Sequence, residues 1–379
     1  STVTSPFPPP SDLASEIPIP DWWIQPNQPI TAAWDGSWYA DFPATAAMAR
    51  WYYNTGNNPQ SPVNGVIAID IYGFEAVLNI LGRVRVPGYD VVITPQNFRE
   101  IVYDIRAFGE GELPHKRFVA DVYRQIFSDW QAVSEQAQQN ADLLGVALEA
   151  LQQKHIMIYF PDERLAHAMD VLGWSGAQRP GVEHDYLMVA DANLGNKSNR
   201  SILRQTTYDV QIRADGTLHG RTTIAYDYPS RLADQDPAVN PLYHGRLDYS
   251  NLLQVFVPAQ SSIMATGNVQ ERVQAVAQDE HTILVSRVSV RYDDSARIRF
   301  EYETPPLIEQ FGPYQRYRLL LQKQPGIGAE AVTVQVTLPP GARVVNTSPA
   351  PATSYRLEQL VLDFRLTLDA DQWIEVTFE

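Results

Sequence analysis

An aspartate and three basic residues have the types and spacing for phosphate chemistry. Asp70 follows the apolar run 65–69, which is typical of a buried strand, and α/β sheets often place ligand groups at strand ends. Lys116, Arg117 and Arg124 lie in a predicted helix, where residues 117 and 124 share a face because they are seven apart. Arginine forks hold phosphate oxygens, and a metal ion spreads the charge of a leaving group. One hypothesis is therefore that these four side chains contact a phosphate or an acidic polymer.

The same residues also have a structural interpretation. Asp70 could cap the helix that follows its strand, because aspartate is a preferred first residue at a helix start. The basic residues of the helix could form a solvated face that pairs with Asp121 and Asp129. Both interpretations stay open at the level of sequence.

A second polar group lies further along the chain, around the end of a predicted strand. Its members are Asp191, Asn193, Asn196 and Asn199, with Asp185 just before them. Their oxygens could bind a hard cation, but they lack the spacing of a calcium loop. Asn and Asp also form turns by bonding their own backbone. We therefore interpret this group as the junction between two domains and expect no metal there.

Other kinds of active site find little support in the composition. The chain has no cysteine, which excludes disulfides, zinc-thiolate sites and thiol catalysis. Its seven histidines are scattered without ligand spacing, and no serine-hydrolase, phosphate-loop or dinucleotide glycine motif occurs. The net charge of -15 repels nucleic acid and anionic membrane surfaces. We assign no catalytic residue and no cofactor, and an enzyme is the less favoured class.

Three segments with different patterns must position these residues. Residues 1–33 are rich in proline and predict an extended arm, in which Trp22 and Trp23 could anchor a contact with a neighbouring subunit. Residues 34–198 alternate helices and strands and predict an α/β layered domain that includes a strand at 186–190. Residues 199–379 alternate with period two and predict a β-sandwich of immunoglobulin-like type. The fold class is therefore mixed α+β with two domains.

Capping residues predict where several helices of the first domain begin and end. The helix at 73–81 should close at Gly82, and Asp162 should cap a helix that runs to Trp174. Thr94 should cap another helix, with Pro95 in its first turn. Residues 84–86 and 91–93 predict a hairpin.

Several stretches resemble a bacterial envelope family known as domain of unknown function 4012. They are Asp41–Ala46 (DFPATA), Val63–Asp70 (VNGVIAID), Leu78–Val84 (LNILGRV), Tyr186–Asn199 (YLMVADANLGNKSN) and Leu320–Gly326. The resemblance runs from about Trp34 to Gly326, and the stretch at 186–199 is its most specific part. Members of that family usually carry an upstream membrane helix and a further N-terminal portion of the α/β domain. The resemblance thus implies an exported protein whose membrane anchor, if any, precedes Ser1.

A weaker resemblance connects the first domain to the LytR-CpsA-Psr fold. Residues 63–86, followed by the helix with Lys116, Arg117 and Arg124, look like the middle of that fold. Those proteins transfer glycopolymers from a polyprenyl pyrophosphate lipid to the cell wall, using arginines and acidic residues around magnesium-pyrophosphate. The arginine- and aspartate-rich early motifs of that family have no match in this sequence.

Two hypotheses from different classes follow. The first is an extracytoplasmic, cell-surface structural or interaction protein, which binds other envelope subunits, copies of itself or a cell-wall glycopolymer. The alternative is a glycopolymer transferase in which Asp70, Arg117 and Arg124 hold pyrophosphate and metal. A spacer domain that lifts another part off the membrane is a third reading.

Overall fold

The computed structural model describes residues 19–23, 36–56, 61–111, 114–133, 137–244, 246–278 and 280–379. Most of the predicted arm at 1–33 therefore lies outside the described residues. The chain divides into two compact units, Ser1–Gln178 with Pro325–Ile327 and Arg179–Gln324 with Gly328–Glu379. Helices prevail in the first unit and strands in the second, so the mixed α+β class is confirmed.

The first unit contains six helices and four short strands among its described residues. In chain order they are α1 (Phe42–Thr55), β1 (Val66–Ile69), α2 (Ile71–Leu81), β2 (Val84–Arg85), β3 (Val92–Ile93), α3 (Phe98–Phe108), α4 (Pro114–Val133), α5 (Ala137–Gln152), β4 (Ile156–Tyr159) and α6 (Glu163–Val171). β1 pairs antiparallel with β4, and β2 pairs antiparallel with β3 as the predicted hairpin.

Capping residues decide where these helices start and stop. The Asp70 carboxylate accepts the backbone N–H of Gly73 at the start of α2, and Gly82 ends that helix with a φ of 75° that suits glycine. Asp162 caps α6 as predicted, although this helix ends at Val171 rather than at Trp174. The prediction for α3 is wrong. Thr94 and Asn97 bond each other in a turn, and the helix begins only at Phe98.

The helices of the first unit enclose an apolar core. Side chains of α2, β2, β3, α3 and α4 form one cluster, centred on Phe74, Leu78, Phe98 and Phe118. Each such buried side chain contributes about 1.5–3 kcal/mol through the area that it removes from water. Phe74 and Phe98 stack at 4.5 Å between ring centroids. This packing fixes the position of α4, which carries the predicted basic residues.

The second unit is built almost entirely of strands. They are β5 (Asp185–Asn193), β6 (Leu203–Ile212), β7 (Leu218–Asp227), β8 (Tyr249–Pro258), β9 (Ser262–Gly267), β10 (Gln274–Ala277), β11 (His281–Val290), β12 (Ser295–Glu303), β13 (Glu309–Phe311), β14 (Tyr314–Gln322), β15 (Glu330–Thr337), β16 (Val344–Ser348), β17 (Thr353–Arg356), β18 (Leu360–Leu368) and β19 (Gln372–Phe378). Two four-residue helices, α7 (Ser230–Ala233) and α8 (Pro241–His244), lie between β7 and β8, where the sequence predicted none.

These strands form two large sheets. The eight-stranded sheet has the order β10-β11-β8-β5-β14-β19-β16 with β13 beside β14, and the seven-stranded sheet has the order β17-β18-β15-β6-β7-β12-β9. Neighbours are antiparallel except for the parallel pairs β5–β14 and β6–β15. Alternate residues of both sheets belong to one hydrophobic core, as Leu319 and Val334 illustrate. The period-two pattern after residue 201 thus reflects burial on one face of each strand.

The predicted assignment of the strand at 186–190 to the α/β domain is wrong. β5 lies inside the eight-stranded sheet, antiparallel to β8 and parallel to β14. The division between the units accordingly falls at Gln178 and Arg179 rather than at 198/199. The partners of β5 lie far along the chain, so the local pattern of the strand did not reveal its sheet. Its fully apolar run is compatible with either kind of sheet.

Candidate functional site

Asp70 lies at the junction of β1 and α2, with both carboxylate oxygens in use. One oxygen accepts the N–H of Gly73 at 2.9 Å, and the other lies 2.7 Å from Nδ1 of His155. The Asp70 backbone N–H also donates to the carbonyl oxygen of His155 at 3.0 Å. These contacts fasten the start of α2 to the residue that precedes β4. The structure therefore gives Asp70 the capping role that the sequence left open.

The basic residues of α4 divide into two groups. Arg124 forms an ion pair with Asp121 at 2.7 Å, and Asp121 also accepts a bond from the Tyr89 hydroxyl at 3.2 Å. Burial and Asp121 raise the pKa of Tyr89, whereas Arg117 and Arg124 act in the opposite direction. Arg117 and Arg124 therefore share one side of the helix, where Arg124 is half-exposed.

Lys116 faces a different environment on the same helix. Burial lowers the pKa of His115, and the charges of Arg106 and Lys116 lower it further. Burial and Asp70 together raise the pKa of Tyr123, which also lies on α4, to about 12. Among the described residues, Arg117 and Arg124 lie on the same side of α4 near Tyr89. Contact of a phosphate or polymer by Asp70, Lys116, Arg117 and Arg124 stays a prediction.

Asp191 belongs to a buried charge network inside the second unit. Its carboxylate accepts from Nη1 of Arg204 at 3.0 Å and from the Tyr226 hydroxyl at 2.7 Å. Nη2 of Arg204 donates to Glu330 at 2.6 Å, and Thr206 donates to the same carboxylate at 2.5 Å. Burial raises the pKa of Asp191 although Arg204 opposes the shift. Burial would lower the pKa of Arg204, but Glu330 and Asp191 raise it well above its ordinary value.

A small cavity next to this network supports a structural role. Its volume is about 10 Å³, and its lining includes Thr206, Gln324 and Glu330. That volume is about enough for one water molecule. The network therefore serves to pair charges between strands rather than to admit a ligand.

Three asparagines of the predicted junction form a turn after β5. The side chain of Asn193 donates to that of Asn199 at 2.5 Å and accepts the N–H of Gly195 at 2.8 Å. Asn196 is buried and donates to the carbonyl oxygen of Leu247 at 2.6 Å. The predicted interdomain location of these residues is wrong, because the whole turn lies within the second unit. Asn193 and Asn196 each accept the backbone N–H of the second residue that follows, which is the kind of turn that the sequence suggested.

The sequence analysis named Asp185 beside the junction group but did not predict that its carboxyl group is buried at the start of β5. Asp185 is fully buried and accepts from the hydroxyls of Tyr208 at 2.8 Å and Tyr317 at 2.7 Å. Tyr208 lies in the seven-stranded sheet and Tyr317 in the eight-stranded sheet, so the carboxyl joins the two. Burial raises the pKa of Asp185 to about 6, against the effect of the tyrosine hydrogen bonds.

A signal for the buried polar residues was present in the sequence. Asp185 and Asp191 have the same parity in β5 as the core residues Leu187 and Val189. Arg204 likewise has the parity of Tyr208 in β6. Side chains with the same parity point to the same face of a sheet, so this pattern would have placed the charged groups on the core side.

Trp22 and Trp23 contact other aromatic rings of their own unit. Trp22 is buried, and its ring lies 6.1 Å from that of Trp23 in an edge-to-face arrangement. Trp23 lies 6.0 Å from Trp38. A role of the two tryptophans in subunit contact stays a prediction.

The first part of the chain matches a known family model. Residues 22–104 match the family model described as Protein of unknown function (DUF4012). The DUF4012 resemblance is confirmed over this range. The DUF4012 segment includes Trp22, Trp23 and Asp70, whereas Arg117, Arg124 and the stretch 186–199 lie outside it. No curated protein matches the chain.

Three solved structures with similarity to this chain illustrate how distant the likeness is. A putative nutrient binding protein from Legionella pneumophila is 12% identical over 50% of this chain and 72% of its own, with a TM-score of 0.31. An M1 zinc metallopeptidase mutant from Deinococcus radiodurans is 15% identical over 48% of this chain and 43% of its own, with a TM-score of 0.29. Leukotriene A4 hydrolase from Saccharomyces cerevisiae is 8% identical over 49% of this chain and 30% of its own, with a TM-score of 0.30. Likenesses at this level carry no argument about function.

Two further properties bear on function. In the part of the chain that the structure describes, no cluster of three or more His, Asp or Glu side chains could hold a metal ion. None of the helices described there is long and apolar enough to cross a membrane.

Proposed function

We propose that this protein is an interaction protein of the bacterial cell envelope, located outside the cytoplasm. It binds other surface subunits, further copies of itself or an envelope polymer through its strand-rich unit. The family resemblance supports the envelope location, and the structural argument rests on the outer strands of the two sheets.

Large apolar side chains are exposed on three outer strands. The exposed fractions are 59% for Met264 in β9, 50% for Val345 in β16 and 39% for Tyr355 in β17. β9 and β17 are the two edges of the seven-stranded sheet, and β16 is one edge of the eight-stranded sheet. Outer strands are the parts of a sheet that other chains contact most readily. This exposure is the observation that carries the proposal.

Bulges determine how two of these strands can make contact. The ladder of β16 with β19 shifts between Val344 and Asn346, which leaves Val345 unpaired. The ladder of β9 with β12 shifts in the same way at Met264. Bulges interrupt the regular backbone pattern that an added strand needs. Contact at these edges would therefore use the apolar side chains rather than further backbone pairing.

The charged residues favour binding over catalysis. Both oxygens of Asp70 are used to fix α2 to the residue before β4, and Arg204 is shared between Asp191 and Glu330 in the interior. A catalytic acid, base or phosphate ligand must reach its substrate. These groups stabilise the fold instead, which supports a function in which the protein surface binds a partner.

Association of the purified chain tests this proposal. Sedimentation velocity over a wide range of protein concentration should show self-association, or sedimentation with the envelope fraction of the source cells should show binding. The triple variant Met264→Glu, Val345→Glu, Tyr355→Glu should lose the interaction. Leu242→Glu is the matched control, because Leu242 is 79% exposed but lies on α8 outside the sheets.

Two results would overturn the proposal. One is a protein that stays monomeric and leaves the envelope fraction unbound. The other is an interaction that the triple variant retains in full. Labelling of intact source cells with an antibody against the chain tests the location separately.

The finer fold assignments are part of the same proposal. α2 and α5 beside the β1–β4 pair support a LytR-CpsA-Psr-like layering of the first unit. Two sheets that share one core support a sandwich of the immunoglobulin-like kind for the second, with more strands than an immunoglobulin domain has.

A further inference from the structure

One outward-facing area of the eight-stranded sheet has an unusual composition. Tyr317 and Leu319 of β14, with Ile374 and Val376 of β19, point into the core. Residues of the opposite parity therefore project from the other face of the sheet. We call this area the β14–β19 face and define it by Glu309, Phe311, Tyr314, Arg316, Arg318, Asn346, Trp373, Glu375 and Thr377.

Exposed aromatic rings mark the two ends of the β14–β19 face. Phe311 is 42% exposed and Trp373 is 43% exposed. The guanidinium of Arg316 lies 5.6 Å from the centre of the Phe311 ring, and that of Arg318 lies 5.9 Å from the Trp373 ring. Each arginine thus covers part of a ring and holds it in place through a cation–π contact, while much of the ring stays open to solvent.

The middle of the face is polar but carries little net charge. Arg316 donates to Glu309 at 2.6 Å and 2.9 Å, and Arg318 lies 3.9 Å from the same carboxylate. Glu375 stands opposite Arg318 in the ladder. Two positive and two negative side chains therefore balance each other locally. The protein as a whole has a net charge of -15, which disfavours a polyanionic ligand.

The face is long enough for an extended ligand. Phe311 stands opposite Tyr314, and Trp373 stands opposite Leu320. The stretch of β14 from Tyr314 to Leu320 spans about 20 Å at about 3.3 Å per residue. A chain molecule laid along the strand could therefore contact both rings and the polar side chains between them.

We propose that the β14–β19 face binds an uncharged, extended polysaccharide. The aromatic rings take the apolar faces of two sugar rings, and the paired Arg, Glu, Thr and Asn side chains bond to hydroxyl groups between them. Protein interfaces show the opposite anatomy, with an apolar centre and a polar rim. This inference rests on the proposed function and names the class of envelope polymer.

Titration of the intact chain with a probe polymer tests the assignment. The probe is soluble chito-oligosaccharide, a β-linked chain of N-acetylglucosamine, measured by isothermal titration calorimetry. Trp373→Ala and Phe311→Ala should each raise Kd about tenfold or more, and the double variant should abolish binding. Phe108→Ala is the matched control, since Phe108 is an aromatic residue that is 79% exposed at the end of α3 in the first unit and should leave Kd unchanged.

Circular dichroism melting of each variant separates loss of binding from loss of folding. If Trp373→Ala is unstable, Trp373→Phe and Phe311→Leu provide a second pair, in which the aromatic replacement should bind better than the aliphatic one. Unchanged affinity in both pairs of folded variants would refute the assignment, as would absence of binding to chito-oligosaccharide and to soluble cello-oligosaccharide.

The outcome is distinguishable from failure of the proposed function. If the Trp373 and Phe311 variants keep their self-association and also bind the oligosaccharide with unchanged affinity, the interaction role is supported and the sugar site is refuted. Loss of self-association in those variants, without sugar binding, would identify a protein contact instead and would also refute the polysaccharide proposal.

Discussion

Arg204 donates to Glu330 at 2.6 Å across the parallel strands β6 and β15, although the two residues are 126 positions apart in the chain. The pair is buried, with exposed side-chain fractions of 8% and 6%. A buried charge without a partner costs far more free energy than a paired one. We therefore expect the network around Arg204 to contribute to the stability of the second unit.

Removal of the arginine charge should destabilise the protein. Arg204→Met leaves Asp191 and Glu330 buried without their cation, and we expect the free energy of unfolding to fall by about 3–5 kcal/mol. Urea denaturation followed by circular dichroism measures the change. Arg213→Met is the control, since the Arg213–Glu303 pair is largely exposed and should contribute no more than about 1 kcal/mol. Equal losses in the two variants would contradict the assigned role.

Asp185 should make the stability depend on pH in a defined direction. Its pKa rises from 3.8 to about 6 in the folded state, so the folded chain binds a proton between these values where the unfolded chain does not. The contribution of Asp185 to the free energy of unfolding therefore decreases as pH rises through this window and is constant above it. Asp185→Asn should remove this dependence and should be at least as stable as the natural chain above the window.

Urea titrations at several pH values from about 4 to about 8 measure this dependence. Asp215→Asn is the control, because Asp215 lies on an exposed turn and its pKa is lowered by Thr217. It should leave the slope within the window unchanged. A variant at Asp185 with the same slope as the natural chain would show that this carboxyl does not carry the effect.

Asp70 should behave as a structural capping residue. Asp70→Ala removes the acceptor for the Gly73 N–H and the partner of His155, so we expect a loss of about 1–2 kcal/mol in the free energy of unfolding. Asp70→Asn keeps one oxygen and should lose less. Thermal or urea denaturation measures both. An alanine variant as stable as the natural chain would contradict the capping role of the Asp70 carboxylate.

The transferase hypothesis predicts binding of pyrophosphate and metal at Asp70, whose two carboxylate oxygens already bond to Gly73 and His155 in the structure. We expect no binding of magnesium with inorganic pyrophosphate by the intact chain in calorimetry. Binding that Arg117→Ala abolishes and the control Arg99→Ala retains would revive that hypothesis. Both arginines lie in helices of the first unit, but Arg99 belongs to α3 and is not part of the proposed phosphate contact.

Local patterns were sufficient for many features of the two units. The caps at Asp162 and Gly82 were predicted, and capping was one of two interpretations of Asp70, because a helix end is decided by residues within one turn of it. The start of α3 was misplaced, because the side chains of Thr94 and Asn97 each accept the backbone N–H of the other and form a turn before the helix. The candidate polysaccharide face was not predicted at all, because it combines residues from four separate strands.

The sequence by itself determined the mixed class, the change from helices to strands and the absence of cysteine chemistry, since these follow from composition and from short-range periodicity. Only the tertiary structure decided that β5 belongs to the eight-stranded sheet and that Asp185, Arg204 and Glu330 meet partners in the core. The physical reason is that strand neighbours and buried ion pairs are selected by contacts between distant parts of the chain, about which a local pattern carries almost no information.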